Sequence, residues 1–273
     1  MTERKDATAV LITMPHSHYS EKARWALDWL AFPYREERHV PLIHRFATTR
    51  NGGRSVPVLV HGTSRFVDST DILVHADAVS GGDLLYPRDA ALRHQVVTLE
   101  EQFDEQLGPH ARRWAYAQLL PEAGLLRSAM SAGVPRMEAI LLPLILSRVR
   151  RMIREGLAIT PESTQRSLEF VHRIFRQVEE RLGDGRRFLV GDRFTAADLT
   201  FAALAAPVLF PNGYRAAYPA LDLAPASMRD EALRLRQTGA GRFVLRLFSQ
   251  ERDGTSTTPR PNNPTNHAET HAA

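Results

Sequence analysis

The sequence predicts an α/β domain followed by an all-helical domain, and three observations carry the prediction. Apolar runs alternate with helical stripes over residues 8–80, a Gly81-Gly82-Asp83 and Pro87 stretch interrupts them, and beyond it nearly every periodic segment has helical spacing. A chain of 273 residues with 43% hydrophobic content can bury a sizeable core in two domains. The boundaries read as residues 1–82, 88–250 and a tail at 251–273.

The first domain opens with Val10-Leu11-Ile12-Thr13, an apolar run rich in β-branched residues that reads as a buried strand over residues 8–13. A helix follows. Ala23, Ala26, Leu27 and Leu30 form one helical stripe, and Glu21, Lys22 and Asp28 fall elsewhere around the axis. Strands are expected at residues 34–40, 56–61 and 64–67, a loop or short helix at 43–49 and a helix at 70–79. That is a β-α-β unit followed by β-β-α, an order suited to a mixed sheet with helices on both faces.

In the second domain Leu92, Val96, Leu99, Phe103 and Leu107 form a stripe that Gly108-Pro109 is expected to stop. Leu168, Val171, Ile174, Phe175, Val178 and Leu182 form another, with Pro161 near its start and Gly183 after its end. Phe194-Thr195-Ala196-Ala197-Asp198-Leu199 reads as a capping box with a hydrophobic staple: Thr195 at the N-cap, Asp198 reaching back, and Phe194 packing on Leu199. Ala202, Ala203, Leu204, Ala205 and Ala206 then continue a helix hidden on most sides. Segments at 226–237 and 241–248 complete the bundle.

The residues that point to chemistry lie in the first domain. Ser17 stands where the first helix starts, and the unpaired N–H groups and positive dipole end there favour an anion. Its hydroxyl either caps that helix, as serines commonly do, or hydrogen-bonds a thiolate aimed the same way. Val56-Pro57 heads a short strand, where proline is tolerated at the start or on an edge. A cis bond there costs little and would turn the Val56 backbone outward, to pair in strand fashion with a bound peptide. Asp68-Ser69-Thr70-Asp71 places small oxygen-bearing side chains at the start of another helix, where a carboxylate and an ammonium could both dock.

These motifs, in this order, resemble the glutathione S-transferase superfamily, with its thioredoxin-like N-terminal domain and helical-bundle C-terminal domain. The resemblance implies that Ser17 is the thiolate-stabilising hydroxyl, that Val56 before Pro57 pairs with the cysteinyl part of glutathione, and that Asp68 and Ser69 hold its γ-glutamyl end. Tyr19 and Ser20 lie within a turn of Ser17 and are alternative donors. Many relatives carry a lysine directly before the Val-Pro pair; Ser55 stands here with Arg54 before it. Either Arg54 substitutes, or glutathione is held more weakly, or the thiol is a different one. The segment 112–156 is longer than the simplest members need, and by resemblance it walls an apolar pocket, with Trp114, Tyr116 and Met130 as candidate lining. In transferases the capping box opens a buried helix, so Asp198 is assigned a structural role.

The activity this implies is conjugation: the Ser17 hydroxyl and helix N-terminus lower the thiol pKa, and the thiolate attacks an electrophilic carbon or a peroxide oxygen. Glutathione is the co-substrate, no metal is required, and a hydrophobic electrophile, a detoxification role and a homodimer follow from the resemblance alone. The rival is a non-catalytic member of the fold, a ligand-binding or interaction module of the metaxin kind. His16 and His18 could pose as a base beside a serine nucleophile, but no Gly-x-Ser-x-Gly elbow surrounds Ser17.

Composition narrows the classes further. The chain has no cysteine, so disulfides, thiolate metal sites and cysteine redox chemistry are excluded, and with them the glutaredoxin-like and dehydroascorbate-reducing branches. The net charge is +4, but arginines are interleaved with acids and no basic block forms, so no nucleic-acid partner is expected. The charged start of the sequence leads into a strand and no apolar run approaches ~20 residues, so a cytoplasmic location without a membrane span is expected. His267 and His271 in the tail read as solvated.

Overall fold

The computed structural model describes residues 8–252, and the expectations for residues 1–7 and 253–273, with His267 and His271, lie outside the described residues. The first domain runs β1 (Ala9–Thr13), α1 (His18–Trp29), β2 (Tyr34–Arg38), α2 (His44–Arg50), β3 (Val58–His61), β4 (Ser64–Phe66) and α3 (Ser69–Val79). The sheet order is β2-β1-β3-β4, with β1 parallel to β2 and antiparallel to β3. The β1–α1–β2 crossover demands a long connection, which α1 supplies, whereas β3 and β4 are joined by a tight hairpin with Gly62 at φ +59°. This is the expected thioredoxin-like arrangement. Because Ile12 pairs with Val58, the loop that leaves β1 and the chain that enters β3 meet at one end of the sheet.

The second domain contains α4 (Ala90–Gln102), α5 (Gly108–Leu119), α6 (Ala123–Ser131), α7 (Arg136–Gly156), α8 (Pro161–Arg181), α9 (Ala196–Leu209), α10 (Ala226–Arg236) and α11 (Gly239–Leu247). All fourteen residues of α9 are buried, so the helix that sequence places inside the bundle is its axis. Its capping box forms as expected. Asp198 accepts from the Thr195 N–H at 2.9 Å and the Thr195 hydroxyl at 2.8 Å, and also from the Leu189 N–H at 2.7 Å. Phe194 is fully buried, and its ring packs on Trp25 and Trp29 of α1, with centroids 5.8 and 5.4 Å apart. Phe194, just ahead of the α9 cap, therefore also joins the two domains.

Two expectations about the fold are corrected. Gly108-Pro109 does not stop the helix: α4 passes through a wide π turn, Phe103–Leu107, directly into α5. Pro109 falls in the first turn of α5 and gives no backbone N–H to the π turn, where the Asp104 carbonyl accepts from the Tyr19 hydroxyl, and a Cβ on Gly108 would overlap that same hydroxyl. The side of α1 away from its apolar stripe is buried as well, since Glu21, Lys22 and Arg24 lie out of solvent. The chain also stays folded past residue 250, in a second π turn, Phe248–Arg252. Arg252 inserts its guanidinium beside α1, 2.9 Å from Glu21 and 2.8 Å from Asp28.

The linker is structured too. Asp77 accepts from the Leu84 and Leu85 N–H groups at 3.0 and 2.8 Å, and the Leu85 carbonyl accepts from the Ala196 N–H at 3.0 Å. Among the described residues, no helix is long and apolar enough to cross a membrane.

Two stability predictions follow from these contacts. Asp198→Ala strands three buried donors, so urea unfolding should show a loss of about 3 kcal/mol or more, with Asp198→Asn losing less. Arg252→Ala removes one partner of a sealed ion pair and should cost about 3 kcal/mol in the same assay, because Glu21 stays buried without its full countercharge.

Candidate functional site

Ser17 is the N-cap of α1, with φ −80° and ψ 120°, and its Oγ accepts from the Ser20 N–H at 3.2 Å. Both readings of this serine are thus compatible. The oxygen caps the helix, while no described residue accepts the hydroxyl hydrogen, which is left to donate elsewhere. The loop is held on both sides: the Met14 carbonyl accepts from the Ser17 N–H at 3.2 Å and Arg24 at 3.3 Å, and the Pro15 carbonyl accepts from Ala217 of the second domain at 2.8 Å.

The neighbouring hydroxyls are placed differently. Tyr19 donates to the Asp104 carbonyl in the π turn at 2.8 Å, and burial together with Asp104 raises its pKa far above the ordinary tyrosine value. Ser20 is fully buried and its Oγ has no hydrogen-bond partner. Among the three hydroxyls, the half-buried Ser17 is the one at the helix mouth.

Val56 and Pro57 are joined by a cis bond, and no described residue makes a backbone hydrogen bond with the Val56 N–H or C=O. Asp68 caps α3, accepting from the Thr70 N–H at 2.8 Å, with Ser69 buried behind it. Arg54 and Ser55 are both exposed. What holds the start of α3 against α1 is a group that sequence reasoning missed: the Lys22 ammonium lies 2.9 Å from Glu100, 2.6 Å from Asp104 and 2.9 Å from the Thr70 hydroxyl. Burial opposes its charge, but the two carboxylates outweigh burial and raise its pKa. Glu100 also accepts from Tyr86 at 2.8 Å. No spacing rule connects Lys22 with residues so far along the chain, so this cluster was invisible in the sequence.

A cavity of about 30 Å³ is lined by the residues on either side of Ser17 but not by Ser17 itself. His16 lines it from the loop and His18 from the first residue of α1, Arg112 and Tyr116 from α5, and Tyr218 from the segment after α9. Its other walls are apolar, from Leu119, Leu126 and Pro207. Tyr116 was expected in this lining; Met130 is instead packed in the core, and Trp114 faces a separate groove of about 620 Å³ between α5, α8 and α10. On α7 the residues Met137, Ile140, Leu141 and Leu144 are 41–77% exposed, so this helix stands apart from the cavity. It is tied to the first domain by Glu138, which accepts from the Val40 N–H at 2.9 Å and meets His39 Nδ1 at 2.7 Å.

A thioredoxin-like domain with a serine-capped first helix, a cis Val-Pro pair just before β3 and an acidic cap on α3, joined to a helical bundle, defines the class of the protein by its fold. Residues 11–82 match the family described as glutathione S-transferase, N-terminal domain, and residues 161–224 match glutathione S-transferase, C-terminal domain. The chain belongs to the glutathione S-transferase superfamily.

Solved structures with the same fold include beta-etherase LigF from Sphingobium sp. strain SYK-6, at 18% identity and TM-score 0.58, covering 88% of this chain and 99% of that one. Glutathione transferase GSTFuA3 from Phanerochaete chrysosporium is 16% identical with TM-score 0.59, covering 90% and 97%. A glutathione S-transferase-I bound with lactoylglutathione is 18% identical with TM-score 0.52, covering 88% and 100%. No curated protein matches the sequence.

Three buried histidines, His16, His18 and His44, make a pH prediction. Burial first, then neighbouring charged groups, lowers His16 to about 4 and His18 to about 3, and His44 is lowered to about 4 by burial and Arg45. The unfolded chain binds protons on these residues below about 6.5 while the folded chain does not, so stability falls as pH drops from 6.5. Urea midpoints at pH 7, 6 and 5 should decline, and His18→Leu should flatten that slope by up to one proton, about 1.4 kcal/mol per pH unit.

Proposed function

We propose that this protein is a glutathione transferase that conjugates the glutathione thiolate to a hydrophobic electrophile. The observation that carries the reading is Ser17. It sits at the α1 N-terminus with its oxygen committed to the cap and its hydrogen free of any described acceptor, as stabilising a thiolate requires. The unpaired Val56 backbone would pair with the cysteinyl unit, Asp68 and Ser69 would take the γ-glutamyl ammonium and carboxylate, and exposed Arg54 is the cation nearest in sequence to serve the glycyl carboxylate.

The step follows directly. With the thiol proton lost to solvent, the sulfur forms a bond to the electrophilic carbon, and the leaving group departs with its bonding electrons. The chain's own groups lower the thiol pKa and orient the peptide. A cytoplasmic setting, a homodimer and a role in detoxification belong to this reading. A second reading, a non-catalytic binding module of the same fold, is favoured by Ser55 at the position of the expected lysine and by the exposed apolar stripe of α7.

A hydrogen bond to a charged group is worth about 1.5–3 kcal/mol, or roughly 10- to 150-fold. Ser17→Ala should lower turnover with a general electrophile such as 1-chloro-2,4-dinitrobenzene by that factor and raise the pKa of bound glutathione, read from the thiolate absorbance. Tyr19→Phe and Ser20→Ala should leave that pKa in place. Glutathione binding with no thiolate band near neutral pH in the wild type would favour the binding module.

A further inference from the structure

Helix α7 carries more apolar surface than the fold uses. Leu142, Leu146 and Val149 on one side are buried, while Met137, Ile140, Leu141 and Leu144 on the other are 67, 65, 41 and 77% exposed. These four fall at i, i+3, i+4 and i+7, so they form one stripe over two turns. The next positions on the same line are Arg148 and Arg151, both exposed. From Met137 to Arg151 the stripe runs for about 20 Å of helix.

Its charge narrows what can cover it. Arg136 before the stripe, and Arg148, Arg151 and Arg154 at its far end, are exposed, and none of the four forms an ion pair among the described residues. Of the acids on α7, Glu138 is committed to His39 and the Val40 N–H, and Glu155 stands at the last turn. The ends of the sequence cannot supply a cover, because residues 1–7 and 253–273 hold, apart from Met1, no Val, Leu, Ile, Phe, Trp, Tyr or Met. A second copy meeting on this stripe would present the same patch twice and bring both sets of arginines into one interface. A bilayer with anionic headgroups meets both demands. The stripe enters the acyl boundary, and the arginines reach the phosphates with their stems along the apolar layer.

We propose that α7 is a peripheral membrane anchor: Met137, Ile140, Leu141 and Leu144 insert into the interfacial layer of an anionic lipid bilayer, and Arg136, Arg148, Arg151 and Arg154 bind its headgroups. The helix lies on the surface and does not cross it, in keeping with the absence of a spanning helix among the described residues. The anchor is independent of the transferase reading, since it uses none of the residues around Ser17.

Flotation of the full-length protein with vesicles of phosphatidylcholine alone, and of phosphatidylcholine mixed with phosphatidylglycerol, tests this at low and high salt. The wild type should float with the mixed vesicles at low salt, bind the neutral ones about tenfold or more weakly, and detach as salt rises. Arg148→Gln combined with Arg151→Gln should lower the affinity about tenfold or more, since each arginine near an anionic surface is worth roughly fivefold. Ile140→Ser combined with Leu144→Ser should lower it about as far. All four side chains are exposed, so both double variants should keep the wild-type circular dichroism and urea midpoint. In Leu144→Trp, vesicle addition should shift the emission of the added indole to the blue, against the steady signal of buried Trp25, Trp29 and Trp114.

No flotation with the mixed vesicles at low salt overturns the proposal, and so does flotation that either double variant leaves unchanged. Equal binding to neutral vesicles would overturn the role given to the arginines. A dimer in sedimentation that Ile140→Ser with Leu144→Ser dissociates, without vesicle binding, would give the stripe to a second copy instead.

Discussion

Helix α1 carries charge on a face that it buries, and the rest of the molecule is arranged around satisfying that charge. Lys22 is sealed between Glu100 and Asp104 from the second domain, while Glu21 and Arg24 join Arg252 and Glu36 in a second network. Removing such groups from water is expensive, and the attraction between them repays it only in good geometry with further hydrogen bonds. Here those bonds come from β1, α3, the π turn and the last turn of the described chain: Thr13, Thr70, Asp104 and Arg252. A misdocked second domain would leave several charges buried alone, so the ionic face specifies one docking geometry. The Trp25, Trp29 and Phe194 cluster provides the apolar contact beside it.

That docking makes the site. The α1 N-terminus would be an ordinary capped helix if the first domain stood alone. With the second domain in place, α5 and the segment after α9 close over the Ser17 loop and supply Arg112, Tyr116 and Tyr218. The π turn is central to this closure. It carries Asp104 toward Lys22 and Tyr19, and it delivers Gly108, whose missing side chain lets Tyr19 approach. Wide turns of this kind trade regular helical bonding for a local reorientation, and here the reorientation brings α5 to the site.

Much of the fold was legible from periodicity and capping chemistry, because these are local properties. The β1 apolar run, the α1 stripe of Ala23, Ala26, Leu27 and Leu30, and the Thr195–Asp198 box each announce an element through residues within a few positions of one another. Ser17, the Val56-Pro57 pair and Asp68-Ser69 were legible for the same reason: each sits at the start of an element, where unpaired backbone groups make small polar residues and proline meaningful. Gly108-Pro109 misled because a helix stop and a proline in the first turn of a continuing helix look identical in sequence.

By itself, the sequence determined the order of elements, the two-domain division and the serine at the helix start, since hydrophobic spacing and cap residues act along the chain. Only the tertiary structure decided which charges of α1 would be buried, which hydroxyl near the first turn would stay available, and which residues from α5 and beyond α9 would pack on its neighbours His16 and His18. Those outcomes depend on partners brought together across the fold: Lys22 meets Asp104, and His18 shares a cavity with Arg112 and Tyr218. Electrostatic pairing and cavity formation are properties of packed space, and a linear pattern carries no record of them.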